Sequence, residues 1–211
     1  TGRPSNSGNA GNRKGRRGGG SGPGEVKVMT FNSGDTYEGT VDAQSNFHGK
    51  GTYVFAAGGR FEGTFVHGPA RGPGHKVFAD GNEYTGHFEA DMMHGHGTMK
   101  YAGGDVYVGE WAQNAACGAG VYTFTDGEQV TGRFKDGVSF GQCTVRYRNG
   151  DVYVGLMADD ERQGKGTLTA AGLDADAPAG DYAGMWRRGK RQGAFTFLAA
   201  GAAKGAKPEK Q

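Results

Sequence analysis

A period of 23 residues constrains this chain more tightly than its composition does. An aromatic residue with glycine two places later recurs at Tyr37, Phe61, Tyr84, Tyr107, Tyr153 and Tyr182, and Val130 takes the same place once. A second landmark, Gly-x-Gly, recurs at Gly49/Gly51, Gly72/Gly74, Gly95/Gly97, Gly118/Gly120 and Gly164/Gly166, with degenerate copies at Gly141/Cys143 and Gly193/Phe195. The first glycines are spaced by 23 residues five times and then by 29. Two independent landmarks on one period define seven units. A fixed period of this length marks a repeat architecture, in which each unit buries its apolar face against the next.

Within a unit the period is two. Gly118, Gly120, Tyr122 and Phe124 fall on one face, with Ala119, Val121 and Thr123 on the other, which is the alternation of half-buried strands and not of helices. Asp80-Gly81, Gly103-Gly104, Asp126-Gly127 and Asn149-Gly150 separate successive strands, where hairpin turns need residues tolerant of positive φ. Loops such as 89–94 and 112–117 are expected to join consecutive hairpins. The stretch from Val26 to Phe31 repeats the second strand of a unit, with Phe31 placed like Phe55 and Phe78, so half a repeat precedes the full ones. Tyr84, Gly86 and Phe88 share a face, and a glycine between two rings leaves a slot across which a ring of the neighbouring strand can lie. The same structural role is expected of Gly63, Gly109, Gly132 and Gly155.

Composition agrees with strands. Of 211 residues 43 are glycine, only four are leucine and none is isoleucine, so helices with an aliphatic core stripe cannot be built. The 23 aromatic residues and 14 valines must supply the buried surface, a mixture that favours sheets. No stretch approaches the ~20 apolar residues that span a bilayer as a helix. The net charge of +2 hides an asymmetry: residues 1–24 carry five basic residues and no acid, and residues 200–211 carry three lysines and Glu209. The remainder, with 16 basic and 21 acidic residues, is acidic.

The pattern of Tyr107-Val108-Gly109-Glu110-Trp111 and of His94-Gly95-His96-Gly97 resembles the MORN repeat (membrane occupation and recognition nexus), and the resemblance covers about residues 26 to 199. It departs at Val130, Cys143 and Phe195 and in the longer spacing before Tyr182. The fold expected is all-β: an elongated single-layer antiparallel meander of about seven 23-residue hairpin repeats plus an N-terminal half-repeat. The chain then divides into a disordered basic Gly-rich tail at 1–24, a repeat domain at 25–199 and a flexible C-terminal tail at 200–211. A segment without aromatic or large aliphatic residues cannot recover its ordering entropy by burial. Between the sixth and seventh units the insertion from Ala170 to Asp181, with Asp174 and Asp176, reads as an acidic loop.

The chemistry-bearing residues form no catalytic constellation. No serine sits in a Gly-x-Ser-x-Gly elbow, and nothing beside Cys117 suggests an activating base. Gly164-Lys165-Gly166-Thr167 lacks the spacing and the helix of a phosphate-binding loop. Cys117 and Cys143 occupy non-equivalent positions and define no disulfide framework, which favours a reducing compartment. His94 and His96 lie two apart, but no carboxylate or thiol set clusters near them. No enzyme activity, cofactor or metal is therefore expected.

A single-layer sheet carries no second layer of its own to cover its ring-bearing face. Tyr84, Phe88, Tyr101, Tyr107, Trp111, Tyr122, Phe124, Phe134, Tyr147 and Tyr153 are accordingly expected to line a concave groove that receives a helix or extended segment of a protein partner, with Trp111 as the central anchor. Glu89 and Asp91 nearby would favour a basic partner. Self-association through unpaired edge strands competes with this reading. So does a peripheral membrane or phospholipid role, which the acidic repeat body disfavours, and nucleic-acid contact could come only from the Arg-Gly run at 16–20. The resemblance implies a cytoplasmic scaffold of the cytoskeleton, as in the short MORN proteins of ciliary and flagellar axonemes, radial-spoke heads and the protist cortex.

Overall fold

The computed structural model describes residues 24–172, 178–201 and 209–210. The expectations for the two tails and for Asp174 and Asp176 fall wholly or mostly outside these residues. Among the described residues there is no helix: fifteen strands of five to ten residues, and one of two, succeed one another in chain order in an open sheet.

The chain forms two compact units. The first holds β1 (Val26–Thr30), β2 (Thr36–Val41), β3 (Phe47–Val54), β4 (Gly59–Phe65), β5 (Ala70–Phe78), β6 (Glu83–Glu89) and β7 (Met92–Lys100), and takes in Trp111–Asn114. The second holds Gly103–Glu110, which carries most of β8 (Val106–Ala112), followed by β9 (Ala115–Thr123), β10 (Gln129–Lys135), β11 (Val138–Arg146), β12 (Val152–Ala158), β13 (Glu161–Ala170), β14 (Gly180–Arg187), β15 (Lys190–Ala199) and β16 (Glu209–Lys210).

Turns of two kinds alternate. Between β1 and β2, Phe31 N–H donates to Asp35 O and Gly34 N–H donates to Phe31 O, both at 2.9 Å. Gly34 sits at φ +89°, so this is a three-residue turn closed by a left-handed glycine. Phe55, Phe78, Phe124 and Tyr147 open turns of the same kind, with Gly58, Gly81, Gly127 and Gly150 in the glycine place. The residue that follows the glycine then reaches the next turn. Asp35 accepts from Ala56 N–H at 2.7 Å and from the Tyr53 hydroxyl at 2.8 Å. Asn82 holds Ala102 N–H, Asp105 holds Thr125 N–H and Asp151 holds Ala171 N–H in the same way.

The other turns correct an expectation. The loops foreseen at 89–94 and 112–117 contract to two-residue turns, Ala90–Asp91 at φ +49° and +68° and Gln113–Asn114 at +50° and +70°. Asp and Asn tolerate this region, and each also satisfies backbone of the preceding hairpin. Asp91 N–H donates to Ala70 O at 3.1 Å while its carboxylate accepts from Ala70 N–H at 2.7 Å. Asn114 repeats the exchange with Met93, and Asp160 with Ser139. Adjacent repeats are thus pinned at both ends of their strands.

The middle of each hairpin carries the core. Gly86 faces Gly97 directly across the strand pair, and the ring of Tyr84 lies over both. The ring that covers the slot therefore comes from the same strand, two residues earlier, and not from a neighbouring strand. Tyr107 covers Gly109/Gly120, Tyr153 covers Gly155/Gly166, and Phe61 covers Gly63/Gly74. A Cβ at Gly109 would stand 2.7 Å from the Gly120 Cα, closer than packed carbon atoms sit. The first glycine of each Gly-x-Gly has a different task. Gly49, Gly72, Gly95, Gly118 and Gly164 adopt positive φ, and the hairpins of Gly49, Gly72, Gly95 and Gly164 each carry a register shift there, which is the geometry of a glycine bulge.

Candidate interaction surface

The premise that the ring face lies open fails for most of its members. Tyr84 and Tyr153 are 0% exposed, and Tyr107, Phe88, Trp111 and Phe134 are buried as well. They are covered by one another along the repeat axis. Each ring over a glycine pair is met edge-on by the aromatic residue at the end of the first strand of the next repeat. Tyr84 meets Trp111 at 5.2 Å, Tyr107 meets Phe134 at 5.0 Å and Tyr153 meets Trp186 at 5.5 Å between centroids. Edge-to-face pairs of this kind gain about 0.5–1.5 kcal/mol beyond the area they bury.

Their polar atoms are occupied too. Trp111 Nε1 donates to Gly97 O at 3.3 Å and Trp186 Nε1 to Gly166 O at 3.1 Å, the same bond in two repeats. The Tyr37, Tyr84 and Tyr153 hydroxyls each donate to the backbone carbonyl three residues on. Burial raises these three phenols to about 12, so they remain neutral donors. Trp111 is accordingly a core residue, and its indole offers little to a partner.

Four of the ten rings expected in the groove keep accessible surface. Phe124 is 39% exposed, and Tyr101, Tyr122 and Tyr147 are half-buried. Tyr101, Phe124 and Tyr147 end their strands at the three-residue turns, and Phe31, Phe55 and Phe78 occupy the same place in the first unit, also half-buried. The expected site omitted these last three, although their spacing of 24 and then 23 residues was a readable signal. Cations lie over the strand-end rings. Lys76 Nζ stands 4.7 Å from the Phe78 ring centre and 5.5 Å from that of Phe55, and burial lowers its pKa. The Arg162 guanidinium is 5.7 Å from the Tyr147 ring and 4.3 Å from Trp186. Beside Tyr147 an open groove of about 550 Å³ is lined by Glu128, Arg148, Asp151, Arg162 and Leu168.

A family profile for the MORN repeat matches residues 43–60, 61–83, 84–106, 107–129, 131–152, 153–172 and 182–194. The chain belongs to the MORN repeat family. No curated protein matches it in sequence. Among solved structures it is similar to the SAS-4 (dCPAP) TCP domain of Drosophila melanogaster in complex with a proline-rich motif of Ana2 (dSTIL). That match has a TM-score of 0.50 at 10% identity and covers 95% of this chain and 97% of that one. The wild-type TCP10 domain of Danio rerio CPAP in complex with a STIL peptide matches at TM-score 0.32 and 10% identity, over 82% of this chain and 83% of that one.

The opposite face of the MORN sheet differs between the units. In the first, cross-strand neighbours Glu38, Thr52, Glu62, His75, Thr85 and Thr98 form a polar row along an open trough of about 900 Å³. In the second the row runs through Val121, Thr131, Thr144, Val154 and Thr167, and Val154, Leu156 and Met185 are exposed. Both cysteines are free, and burial pushes both thiols up, the reverse of an activated nucleophile. His94 lies 3.6 Å from Glu89. Among the described residues one group of three metal-competent side chains converges: Asp42, His48 and His67 of the first unit. No helix among the described residues is long and apolar enough to cross a membrane.

Proposed function

We propose that this MORN array is a non-enzymatic scaffold whose second unit holds an extended, proline-containing segment of a protein partner, with Phe124 and Tyr147 as contact rings. The observation that carries this reading is that the rings over the glycine pairs are buried, while the strand-end rings Phe124 and Tyr147 keep accessible surface, Tyr147 beside a groove. Exposed ring faces suit the pre-extended backbone of proline-rich segments, which lose little entropy on docking. Arg148, Arg162, Glu128 and Asp151 along that groove offer charges of both signs to the segment's polar groups. The similar SAS-4 TCP domain is in complex with a proline-rich motif, which supports the class of ligand. The setting proposed is a cytoskeletal assembly, an axoneme included, on the family resemblance; proximity labelling in the source cell tests it.

Photo-crosslinking from benzoyl-phenylalanine at position 147 identifies the partner, and affinity is then measured for Phe124→Ala with Tyr147→Ala. Removal of contact rings at the centre of an interface costs about 2 kcal/mol or more each. A folded double variant that binds the crosslinked partner as tightly as the parent chain would exclude the strand-end rings as the site.

A further inference from the structure

The hairpin formed by β2 and β3 differs from those after it. Its turn has one residue more, with Asp42 N–H donating to Asn46 O and Ser45 at φ +65°. The two-residue turn of the next hairpin, His67–Gly68, docks on it through Gly68 N–H to Phe47 O at 2.9 Å. Three side chains converge there. The Asp42 Oδ2 stands 2.8 Å from His67 Nδ1, the rings of His48 and His67 are 4.8 Å apart, and one donor atom from each of the three lies within 4.8 Å of the others.

Two observations beyond proximity single this group out. Asp42 is a fixed ligand: its side chain is 9% exposed, and its Oδ1 accepts backbone N–H bonds from Gln44 at 3.0 Å and Asn46 at 2.8 Å. The remaining oxygen, Oδ2, is turned to His67, with the Asn46 amide at 3.0 Å. His48, in turn, has its Nδ1 enclosed without a hydrogen-bond partner, which a native interior rarely leaves unmet. Equivalent places in the repeat that starts at Tyr84 hold Glu89, His94 and Gln113, and those in the repeat that starts at Phe61 hold Val66, Arg71 and Ala90. The repeat scaffold thus offers the same three positions again, and fills all three with metal ligands once among the described residues.

We propose that Asp42, His48 and His67 bind a divalent transition-metal ion of the Zn²⁺ class. Two imidazoles and a carboxylate suit Zn²⁺, Co²⁺ and Ni²⁺ far better than Mg²⁺ or Ca²⁺. Bonds of about 2.0–2.2 Å to such an ion separate tetrahedral donors by about 3.4 Å, so the Asp42–His67 pair opens slightly and His48 closes on it. The ion takes the place of the proton between Asp42 and His67, and water completes its shell. Its effect is a clip between the tips of two successive hairpins, made through residues 42 and 67 and acting on the folded state alone.

The test uses the full 211-residue chain, free of any tag histidines and stripped with chelator. Co²⁺ is titrated by its visible absorption, and Zn²⁺ by displacement of Co²⁺. His67→Asn and Asp42→Asn are compared with His94→Asn, and circular dichroism confirms folding; His67 is 68% exposed, so its loss leaves the core intact. The expected result is one Co²⁺ equivalent with a tetrahedral band, displaced by Zn²⁺, with affinity about tenfold or more lower in His67→Asn and Asp42→Asn and unchanged in His94→Asn. No Co²⁺ or Zn²⁺ binding at about 100 μM, an ion weaker than about 5.5 kcal/mol, overturns the proposal. So does equal binding by the parent chain and His67→Asn, or an equal loss in His94→Asn.

Discussion

In the repeat that starts at Tyr84 a phenol ring lies over two facing glycines, whereas in the repeat that starts at Val130 the ring is absent and one glycine is replaced. There Gly132 lies against Cys143, and a Cβ added at Gly132 would strike the Cys143 sulfur. Cys143 is buried, so the thiol fills from the partner strand the volume that Tyr84 fills from its own. The last repeat keeps its ring residue, but the Tyr182 hydroxyl donates to Pro178 O, and Phe195, in the glycine position, lays its own ring against Gly184. At Val130 and Cys143 the two departures from the repeat pattern are therefore paired, and at Phe195 a single one redirects the ring. What the sheet requires at each hairpin is one filled slot between two strands, and the side that supplies the atoms is free to change.

The comparison breaks most visibly if the ring itself is removed. Tyr84→Ala takes away a fully buried ring and its edge-to-face contact with Trp111, at an expected cost of about 3–5 kcal/mol. Val130→Ala removes only two methyl groups from a buried valine, for about 2 kcal/mol. Urea unfolding of both variants checks the difference, and equal losses would mean that the slot filler is not what holds a repeat.

The second effect is a coupling. Val130→Tyr alone overpacks the slot against Cys143, for about 1–3 kcal/mol, and Cys143→Gly alone empties it. The double variant recreates the arrangement of Tyr84, Gly86 and Gly97. A double-mutant cycle is expected to show a favourable coupling of about 1–3 kcal/mol, and additive losses would show the two sites to be independent.

A smaller contrast separates the two glycines of one motif. Gly95 is left-handed at φ +64°, and a Cβ there would meet His87 Cβ at 3.6 Å, an ordinary contact, while Gly97 is extended and lies beneath the Tyr84 ring. Asparagine tolerates positive φ, so Gly95→Asn is expected to cost about 1 kcal/mol or less. Gly97→Asn must displace a ring, for about 1–3 kcal/mol. Thermal unfolding of the pair reads the order, and a reversed order would exchange the roles assigned to them.

These two glycines also mark where sequence reading reached its limit. The period, the strands, the seven repeats and the positive-φ glycines at Gly81 and Gly127 were legible, because each follows from local backbone chemistry. The source of the covering ring was not, since a ring on the same strand and one on the next strand leave the same alternation. The burial of Trp111 was missed for a related reason. A single layer has no second layer to cover its rings, yet tilted rings shield their neighbours along the repeat axis, and that tilt has no signature in composition. The cluster of Asp42, His48 and His67 depends on a one-residue difference in a turn and on docking between hairpins, neither of which a local pattern contains.

The smallest effect is silent at neutral pH and appears only in alkali. Burial raises the Tyr37, Tyr84 and Tyr153 phenols from 10.0 to about 12. A phenol whose folded value stands above its unfolded value holds its proton more tightly when folded. The stability this contributes is complete below about pH 10 and declines as pH rises toward about 12. Ultraviolet titration of the folded chain should therefore show these three phenolates forming late, with unfolding following their ionisation. The repeat at Val130 has no phenol in its slot, and the late phenol it does carry is the strand-end Tyr147, which burial also raises. In the Val130→Tyr/Cys143→Gly variant it should add one late-titrating group, because the new ring would be enclosed as Tyr84 is. A new phenol that ionises near pH 10 instead would show that the ring lies outside the slot, and that the two repeats are not interchangeable.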